Sequence, residues 1–292
     1  MATSGRDFLF IQDDRAFRDY HKDLRDHKIN VISMDFEGEF NLHVYGNHLC
    51  LIQIFDGKRF VAVDPFKVAL ESLKAFFEDR AILKIMYDCA SDGSLLFDNY
   101  GIILRSVLDL RPVPDLLNFE KKDLSSVLNV ALGLDVIKKK QFQMHNWMRR
   151  PIDHEAMDYA LDDVAELFRL KDWMFARLLE QGLLDEYIRR NMAVQHEGRP
   201  KENKKPRIMK TPDFESLDAT KRKRFMLVYE AREEIAKRLN LPPNTVVANA
   251  ELFEIARARI TVDQIRFNRQ IADGAQAGIR HELEKALAGK PE

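Results

Sequence analysis

Acidic side chains alternate with apolar ones in the segment VISMDFEGEF, which is predicted to form a buried strand. Residues two apart in a strand share a face, so the carboxylates of Asp35 and Glu37 point in the same direction. Neighbouring carboxylates repel each other and raise each other's pKa, and a divalent cation between them reverses that cost. On its own, a D-x-E pattern is also typical of a polar edge strand. Glu39 shares the face but lies past Gly38, beyond the reach of such a cation.

Two further acids and a phenol occupy apolar elements later in the chain. Tyr159 and Asp163 are four residues apart in DHEAMDYALDDVAEL. That spacing places both on one helix face, whereas Asp162 projects about 100° away. Asp92 follows the run ILKIMYDCA, where a lone aspartate most often caps a helix. Each feature alone is typical of ordinary structure, but a set of carboxylates favours Mg²⁺ or Mn²⁺, ions that suit the cleavage of phosphodiester bonds.

The elements that must position these residues follow from hydrophobic periodicity. Strands are predicted in DFLFIQ, VISMDFEGEF, HLCLIQIFD, RFVAVDPF and AILKIMYD. After residues 106–110, helical periodicity continues to about Tyr187. Early strands with interleaved and later helices predict an α/β domain built around a mixed sheet.

Bulk composition limits the class of protein. The chain has 292 residues, of which 46% are hydrophobic, and a net charge of -1, so affinity for nucleic acid must come from local patches. Cys50 and Cys89 lie in apolar runs and are expected to be reduced core residues. No signal peptide is visible and no apolar run approaches about 18 residues, so an intracellular, cytoplasmic protein without a membrane contact is expected.

A polar, basic segment divides the chain. The stretch HEGRPKENKKPRIMKTPD is rich in proline and lysine, and residues 191–211 are predicted to be a linker. Three parts follow from this division: a larger α/β domain over residues 1–190, the linker, and a small all-α domain over residues 212–292. Residues 199–224 contain ten Lys or Arg and four Asp or Glu, so this region is the most basic part of a near-neutral chain.

Three motifs in this order resemble those of the DEDD exonucleases of the tyrosine subclass, most closely the ribonuclease D group. They are MDFEGEF with the following LCLIQIFDG and VDPF, then YDCASDGSLLFDNYG, then NWMRRPIDHEAMDYALDDVAEL, within residues 31–170. The resemblance implies an RNase H-like fold and 3′-to-5′ removal of nucleotides with two divalent ions. It also makes Tyr159 the residue beside the attacking water. The metal ligands that it implies are Asp35, Glu37, Asp92 and Asp163.

The segment RFMLVYEAREEIAKRLNLPPNTVVANAELFEIARARITVDQI resembles an HRDC domain, a small helical bundle that accompanies ribonuclease D and some helicases. The resemblance implies auxiliary binding of nucleic acid. The phosphate contacts expected from it are Lys221, Arg222, Lys223 and Arg224. The alternative is a packing module that only supports the nuclease.

Two smaller features have two interpretations each. Trp147, Arg149 and Arg150 precede the last acidic helix and either clamp RNA phosphates, with stacking on a base, or form a buried tryptophan with arginines that secure the loop. Gln53 in LIQIF is either a polar group near the site or a hydrogen-bonding group at a sheet edge.

The function expected is that of a metal-dependent 3′-5′ exoribonuclease. It would release nucleoside 5′-monophosphates from RNA 3′ ends by two-metal-ion hydrolysis, in RNA 3′-end processing such as the maturation of tRNA precursors. A DNA 3′-5′ exonuclease is the first alternative, because the metal site does not contact the 2′-hydroxyl. A non-catalytic RNA-binding scaffold is the second.

Overall fold

A six-stranded mixed sheet has the acidic strand near its middle. The computed structural model describes residues 6–135, 142, 144–197 and 205–289. The strand order in the sheet is β1-β4-β3-β2-β5-β6. The strands are β1 (Phe8–Ile11), β2 (Val31–Phe40), β3 (Asn47–Phe55), β4 (Phe60–Val63), β5 (Leu83–Met86) and β6 (Val107–Asp109).

The pairing of the strands confirms the predicted mixed sheet. Strand β1 is parallel to β4, and β5 is parallel to both β2 and β6. Strands β3 and β4 are antiparallel, with Gln53 opposite Ala62. The short connection between the neighbouring strands β2 and β3 requires an antiparallel pair, because a parallel pair needs a crossover of about a dozen residues.

Helices cover both faces of this sheet. They are α1 (Asp14–Asp26), α2 (Leu70–Phe77), α3 (Ala90–Tyr100), α4 (Pro112–Leu116), α5 (Leu124–Leu132), α6 (His154–Ala165), α7 (Leu167–Glu180) and α8 (Leu184–Glu197). The near-continuous helix predicted up to Tyr187 is therefore wrong in detail. Helix α5 ends at Gly133, whose φ of 68° is a left-handed conformation that favours glycine, and residues 145–153 form turns, bends and irregular backbone rather than helix.

Alternation along β2 separates two layers of the core. Ile32, Met34 and Phe36 belong to a buried cluster that also contains Phe17 of α1 and Phe76 of α2. The intervening residues of β2 therefore face the opposite side of the sheet. A second buried cluster on that opposite side joins β3 and β4 to helix α6; its members include Leu51, Ala62, Ala156, Met157 and Ala160.

A lysine side chain is buried in this core, at the start of β5. Lys84 has no exposed surface, and its ammonium donates three hydrogen bonds to backbone carbonyls. The acceptors are the oxygens of Asp79 at 2.7 Å, Ile82 at 3.0 Å and Arg105 at 3.1 Å. Burial lowers the pKa of Lys84 to about 8, and the charge of Asp79 opposes the shift. Lys84 therefore ties β5 to the two loops that flank it.

We expect Lys84→Met to lower the free energy of unfolding by about 3 kcal/mol, because three buried carbonyls lose their donor. Urea denaturation measures the change, and Lys74→Met, at an exposed position of α2, is the control. The folded protein releases the Lys84 proton at a lower pH than the unfolded chain does. Wild-type stability therefore rises, relative to the variant, between about pH 8 and the ordinary lysine pKa of 10.5. Equal stability of Lys84→Met and Lys74→Met would contradict this role.

Two compact units divide the chain: residues 1–38 with 48–200, and residues 39–47 with 201–292. The second unit contains α9 (Pro212–Glu215), α10 (Ala219–Leu239), α11 (Pro243–Val246), α12 (Asn249–Ala256) and α13 (Asp273–Ala288). Its buried cluster includes Phe225, Leu252 and Leu283 from three of these helices. The predicted all-α carboxy-terminal region is thus confirmed as helical.

The segment predicted as a linker, residues 191–211, begins as helix. Helix α8 continues to Glu197. Asn191 of this helix is buried, and its side chain forms hydrogen bonds with the backbone of β6. Its Oδ1 accepts from Asp109 N at 2.9 Å, and its Nδ2 donates to Val107 O at 3.1 Å. Residues 198–204 of the predicted linker lie outside the described residues. Within the described ranges, no helix is both long and apolar enough to cross a membrane.

Candidate active site

Strand β2 presents its acids toward helix α6. Asp35 and Glu37 are partly buried on the sheet face opposite the cluster of Ile32 and Met34. On the same face, the Ser33 hydroxyl donates to Val164 O, near the end of α6, at 2.8 Å. The predicted shared direction of the two carboxylates follows from this alternation.

Helix α6 supplies the phenol and the fourth acid. Tyr159 and Asp163 are one helical turn apart and partly buried, while the buried residues between and beside them hold the helix on the sheet. The rings of Tyr159 and Phe142 lie 5.1 Å apart. Asp162 is 51% exposed and accepts from Arg6 at 2.7 Å, so it points away from the acids, as the spacing predicts.

Asp92 lies in the first turn of α3 but does not cap it. The N-cap position belongs to Cys89, and Asp92 is the third residue of the helix. The preceding turn, with Asp88 at a φ of 65°, is fixed by the buried carboxylate of Asp109 at the end of β6. That carboxylate accepts from Asp88 N at 2.8 Å and from Arg111 N at 2.9 Å. Asp109 therefore fixes the turn that precedes α3, and local spacing gives no signal of this role because the contact joins residues 21 positions apart.

The charges of the four acids act on one another across the three elements. Burial raises the pKa of Asp35 well above its ordinary range, and the charge of Asp92 raises it further. Burial also raises the pKa of Glu37, followed by the charges of Asp35, Asp163 and Asp92. For Asp163 the causes are burial and then Asp35. The structure thus brings together the four acids that the sequence places in three separate elements.

The same environment acts on the remaining groups of the cluster. Burial raises the pKa of Asp92 to about 7, with Asp88 and Asp109 acting in the same direction. Burial raises the pKa of the Tyr159 phenol as well, and the charges of Asp163 and Glu37 add to it. At neutral pH the phenol is therefore protonated, and it is a hydrogen-bond donor.

The four acids lack a basic partner in the described part of the chain, where none of them forms an ion pair with Lys, Arg or His. As the side chains are placed, no group of three or more His, Cys, Asp or Glu among the described residues is arranged to hold a metal ion. A partly buried cluster of hard oxygen ligands, with raised pKa values and no cationic partner among the described residues, has the chemistry that suits a divalent ion.

The loop before α6 is secured by Arg150. Its guanidinium donates to both oxygens of Asp64, at 2.9 and 3.0 Å, and to the backbone oxygens of Cys50 and Trp147 at 2.6 and 2.7 Å. The Asp64 carboxylate is 2% exposed, and Trp147 is buried. These contacts favour the interpretation in which Trp147 and Arg150 hold the loop. Arg149 is exposed, and its side chain forms no hydrogen bond or ion pair within the described ranges, so it stays a candidate for a phosphate contact.

Substitution of the two arginines is expected to have different consequences. Arg150→Gln leaves the Asp64 carboxylate buried without its partner, so unfolding should become easier by about 3 kcal/mol. Arg149→Gln should leave stability unchanged and weaken RNA binding. The slope of the logarithm of the binding constant against the logarithm of the salt concentration should become smaller by about 1, because one fewer counterion is released. Thermal unfolding and RNA binding at several salt concentrations separate the two effects. The reverse assignment of the effects would overturn this division of roles.

The basic run at the start of α10 is largely engaged within its own unit. Lys221 pairs with Asp218 at 2.7 Å, Arg222 donates to Glu215 O at 2.7 Å, and Arg224 donates to Ile255 O at 3.2 Å. Lys223 is exposed. Of the four predicted phosphate contacts, Lys223 is therefore the most available to a ligand.

Comparisons with known proteins agree with the geometry. A family model described as a 3′-5′ exonuclease matches residues 8–178, and a model of the HRDC domain matches residues 221–264. Exosome complex component 10 of Rattus norvegicus is 28% identical over 153 residues, 51% of this chain and 17% of that relative. Ribonuclease D of Sphingobium indicum is 25% identical over 216 residues, 73% of this chain and 55% of that relative.

A solved structure shows the same fold over nearly the whole chain. The crystal structure of Escherichia coli RNase D, described as an exoribonuclease involved in structured RNA processing, has a TM-score of 0.72 at 18% identity. The similarity covers 98% of this chain and 76% of that one. The sheet, the helices and the matched ranges agree with the resemblance that the three motifs indicated. The chain belongs to the 3′-5′ exonuclease family and carries an HRDC domain.

Proposed function

We propose that this protein is a 3′-5′ exoribonuclease that releases nucleoside 5′-monophosphates from RNA 3′ ends. The single observation that carries the proposal is the cluster of four partly buried acids, which has no cationic partner among the described residues and lies beside a protonated phenol. Burying that much like charge is costly and gains nothing for folding. A cluster of this kind is retained where it binds a ligand of opposite charge.

The residues that would hold the metal are the four acids Asp35, Glu37, Asp92 and Asp163. When bound, a pair of Mg²⁺ or Mn²⁺ ions lowers the pKa of water and stabilises charge on the leaving 3′ oxygen. The chain's own contribution is a rigid frame: β2 fixes two carboxylates, α3 fixes a third, and α6 fixes the fourth.

Tyr159 would orient the attacking water by donating a hydrogen bond to it. A phenol whose pKa is raised by burial and by neighbouring carboxylates is a poor general base at neutral pH. Its position one turn from Asp163 places the hydroxyl on the helix face that carries the acid. We therefore assign Tyr159 a positioning role at the water rather than proton removal.

RNA is the proposed substrate because the curated relatives include ribonuclease D proteins. The chain spans 54–59% of the length of the ribonuclease D relatives that it matches over 73% of its own length, so the activity of the whole protein is part of this proposal. The physiological substrates proposed are structured transcripts such as tRNA precursors, in the cytoplasm. The helical unit would add phosphate contacts through Lys223 and its neighbours, and residues 1–190, 191–211 and 212–292 are the proposed functional divisions.

The test uses RNA and DNA of equal sequence, single-stranded and labelled at the 5′ end. Each is incubated with the full chain and Mg²⁺ or Mn²⁺, beside an Asp35→Ala variant. We expect an RNA ladder that shortens from the 3′ end with the wild type and no shortening with the variant. Faster shortening of DNA would reassign the substrate, and no shortening of either strand would indicate a binding scaffold.

A further inference from the structure

Gln53 is a fully buried polar side chain in the middle of the sheet. It lies in β3 opposite Ala62 of β4, and Ala62 packs with Ala156 and Ala160 of α6. Paired residues of neighbouring strands share a face, so Gln53 lies on the sheet face that α6 covers. Because β3 is an inner strand, the interpretation of Gln53 as a sheet-edge group is wrong.

Neither polar atom of this amide has a hydrogen-bond partner among the residues that the structure describes. Both Oε1 and Nε2 of Gln53 are buried without a hydrogen bond to any described residue. An amide buried in this way costs about 1–3 kcal/mol, and methionine would fill a similar volume without that cost. Because the Gln53 amide is unfavourable for folding, its presence here needs an explanation other than stability. The residues next to Gln53 suggest one.

The register of β2 and β3 places Gln53 beside Asp35. The Ser33 hydroxyl donates to Phe55 O at 3.4 Å, and from this contact we infer that the two residues lie opposite each other across the antiparallel pair. Asp35 lies two residues after Ser33 along β2, and Gln53 lies two residues before Phe55 along β3. Both lie on the α6 face, at the spacing of directly opposite residues, where side chains are in reach of each other.

We propose that Gln53 is a positioning residue for the metal site, a role that rests on the function proposed above. Its Nε2–H donates to the Asp35 carboxylate when that carboxylate is ionised and holds a divalent cation. A carboxylate that binds a cation through one lone pair has other lone pairs that can accept hydrogen bonds. A donor at that point fixes its orientation and typically changes metal affinity by about 10- to 100-fold. The same charge-assisted bond supplies the partner that the buried amide lacks.

Titration with Mn²⁺ measures this role without reference to activity. The free Mn²⁺ concentration is followed by electron paramagnetic resonance in wild type, Gln53→Met and Gln53→Asn, with the full chain throughout. Methionine keeps the volume and removes the donor, whereas asparagine keeps the donor on a side chain too short to reach Asp35. We expect both variants to bind Mn²⁺ about 10- to 100-fold more weakly than wild type.

A matched control separates positioning from packing. Ile54 is the next residue of β3, is equally buried, and lies on the opposite face of the sheet. The control substitution Ile54→Met should leave Mn²⁺ affinity unchanged. Metal-free Gln53→Met should unfold at the wild-type temperature or above it, since it buries no unpaired amide. If Gln53→Met does not fold, Gln53→Asn decides between the outcomes.

Wild-type Mn²⁺ affinity in whichever Gln53 variants fold would overturn the proposal and leave the exonuclease function standing. Equal losses in Gln53→Met and Ile54→Met would also overturn it, because packing of β3 would then explain both. Failure of the proposed function is a distinct result: the wild type and Asp35→Ala would bind Mn²⁺ equally weakly, and neither would shorten RNA.

Discussion

Asp163→Asn is expected to reduce turnover of RNA 3′ ends by about a thousandfold, because loss of one carboxylate from a shared metal site removes roughly 4 kcal/mol of transition-state stabilisation. Single-turnover cleavage of 5′-labelled RNA in Mg²⁺ measures the change. Asp162→Asn is a closely matched control, since Asp162 is the adjacent residue of α6 but is exposed and paired with Arg6. The control should retain wild-type turnover.

The same substitution should change stability in the opposite direction. Burial and the charge of Asp35 raise the pKa of Asp163, so its ionised form is disfavoured in the metal-free fold at neutral pH. A neutral amide relieves that cost, and metal-free Asp163→Asn should melt at a higher temperature than wild type at pH 7.5. Addition of Mn²⁺ should then raise the melting temperature of the wild type more than that of the variant. A variant that is both active and less stable would contradict the assignment of Asp163.

Tyr159→Phe is expected to slow turnover by about a hundredfold, the usual effect of removing one well-placed hydrogen-bond donor from a reacting centre. The dissociation constant for RNA, measured without divalent cations, should stay at the wild-type value because the ring still packs against Phe142. Comparison of turnover with RNA binding separates the two quantities.

The pH dependence of turnover distinguishes the two roles of the phenol. The pKa of Tyr159 is raised by burial and by the charge of Asp163. If the phenol only positions the water, turnover of the wild type and of Tyr159→Phe should therefore depend on pH in the same way between pH 7 and pH 9. A general base would give turnover that rises with pH in wild type and is flat in Tyr159→Phe. Unchanged turnover in the variant would remove Tyr159 from the mechanism altogether.

Local spacing was enough to predict which faces of β2 and α6 carry the candidate site residues. The alternation of Asp35 and Glu37 and the one-turn spacing of Tyr159 and Asp163 depend only on strand and helix periods, and both are as expected. The sequence order of the motifs added Asp92. That the three elements meet is a property of the sheet topology, which places β2 next to β5.

Long-range contacts were beyond prediction from spacing. Arg150 and Asp64 are 86 positions apart, and a Lys-rich or Arg-rich loop gives no signal that one guanidinium will be buried against the sheet. The capping of the Asp88 turn by Asp109 is of the same kind. The breaks within the expected long helix depend on Gly133 and on the turns before Pro151, where local backbone preference outweighs the hydrophobic pattern.

The most direct measurement of the central claim is a crystal structure of the full chain grown with Mn²⁺, with data collected near the manganese absorption edge. We predict anomalous peaks in contact with the carboxylates of Asp35 and Asp163, and the loss of these peaks in Asp163→Asn. Ordered crystals in which these carboxylates bind no manganese at millimolar Mn²⁺ would contradict it.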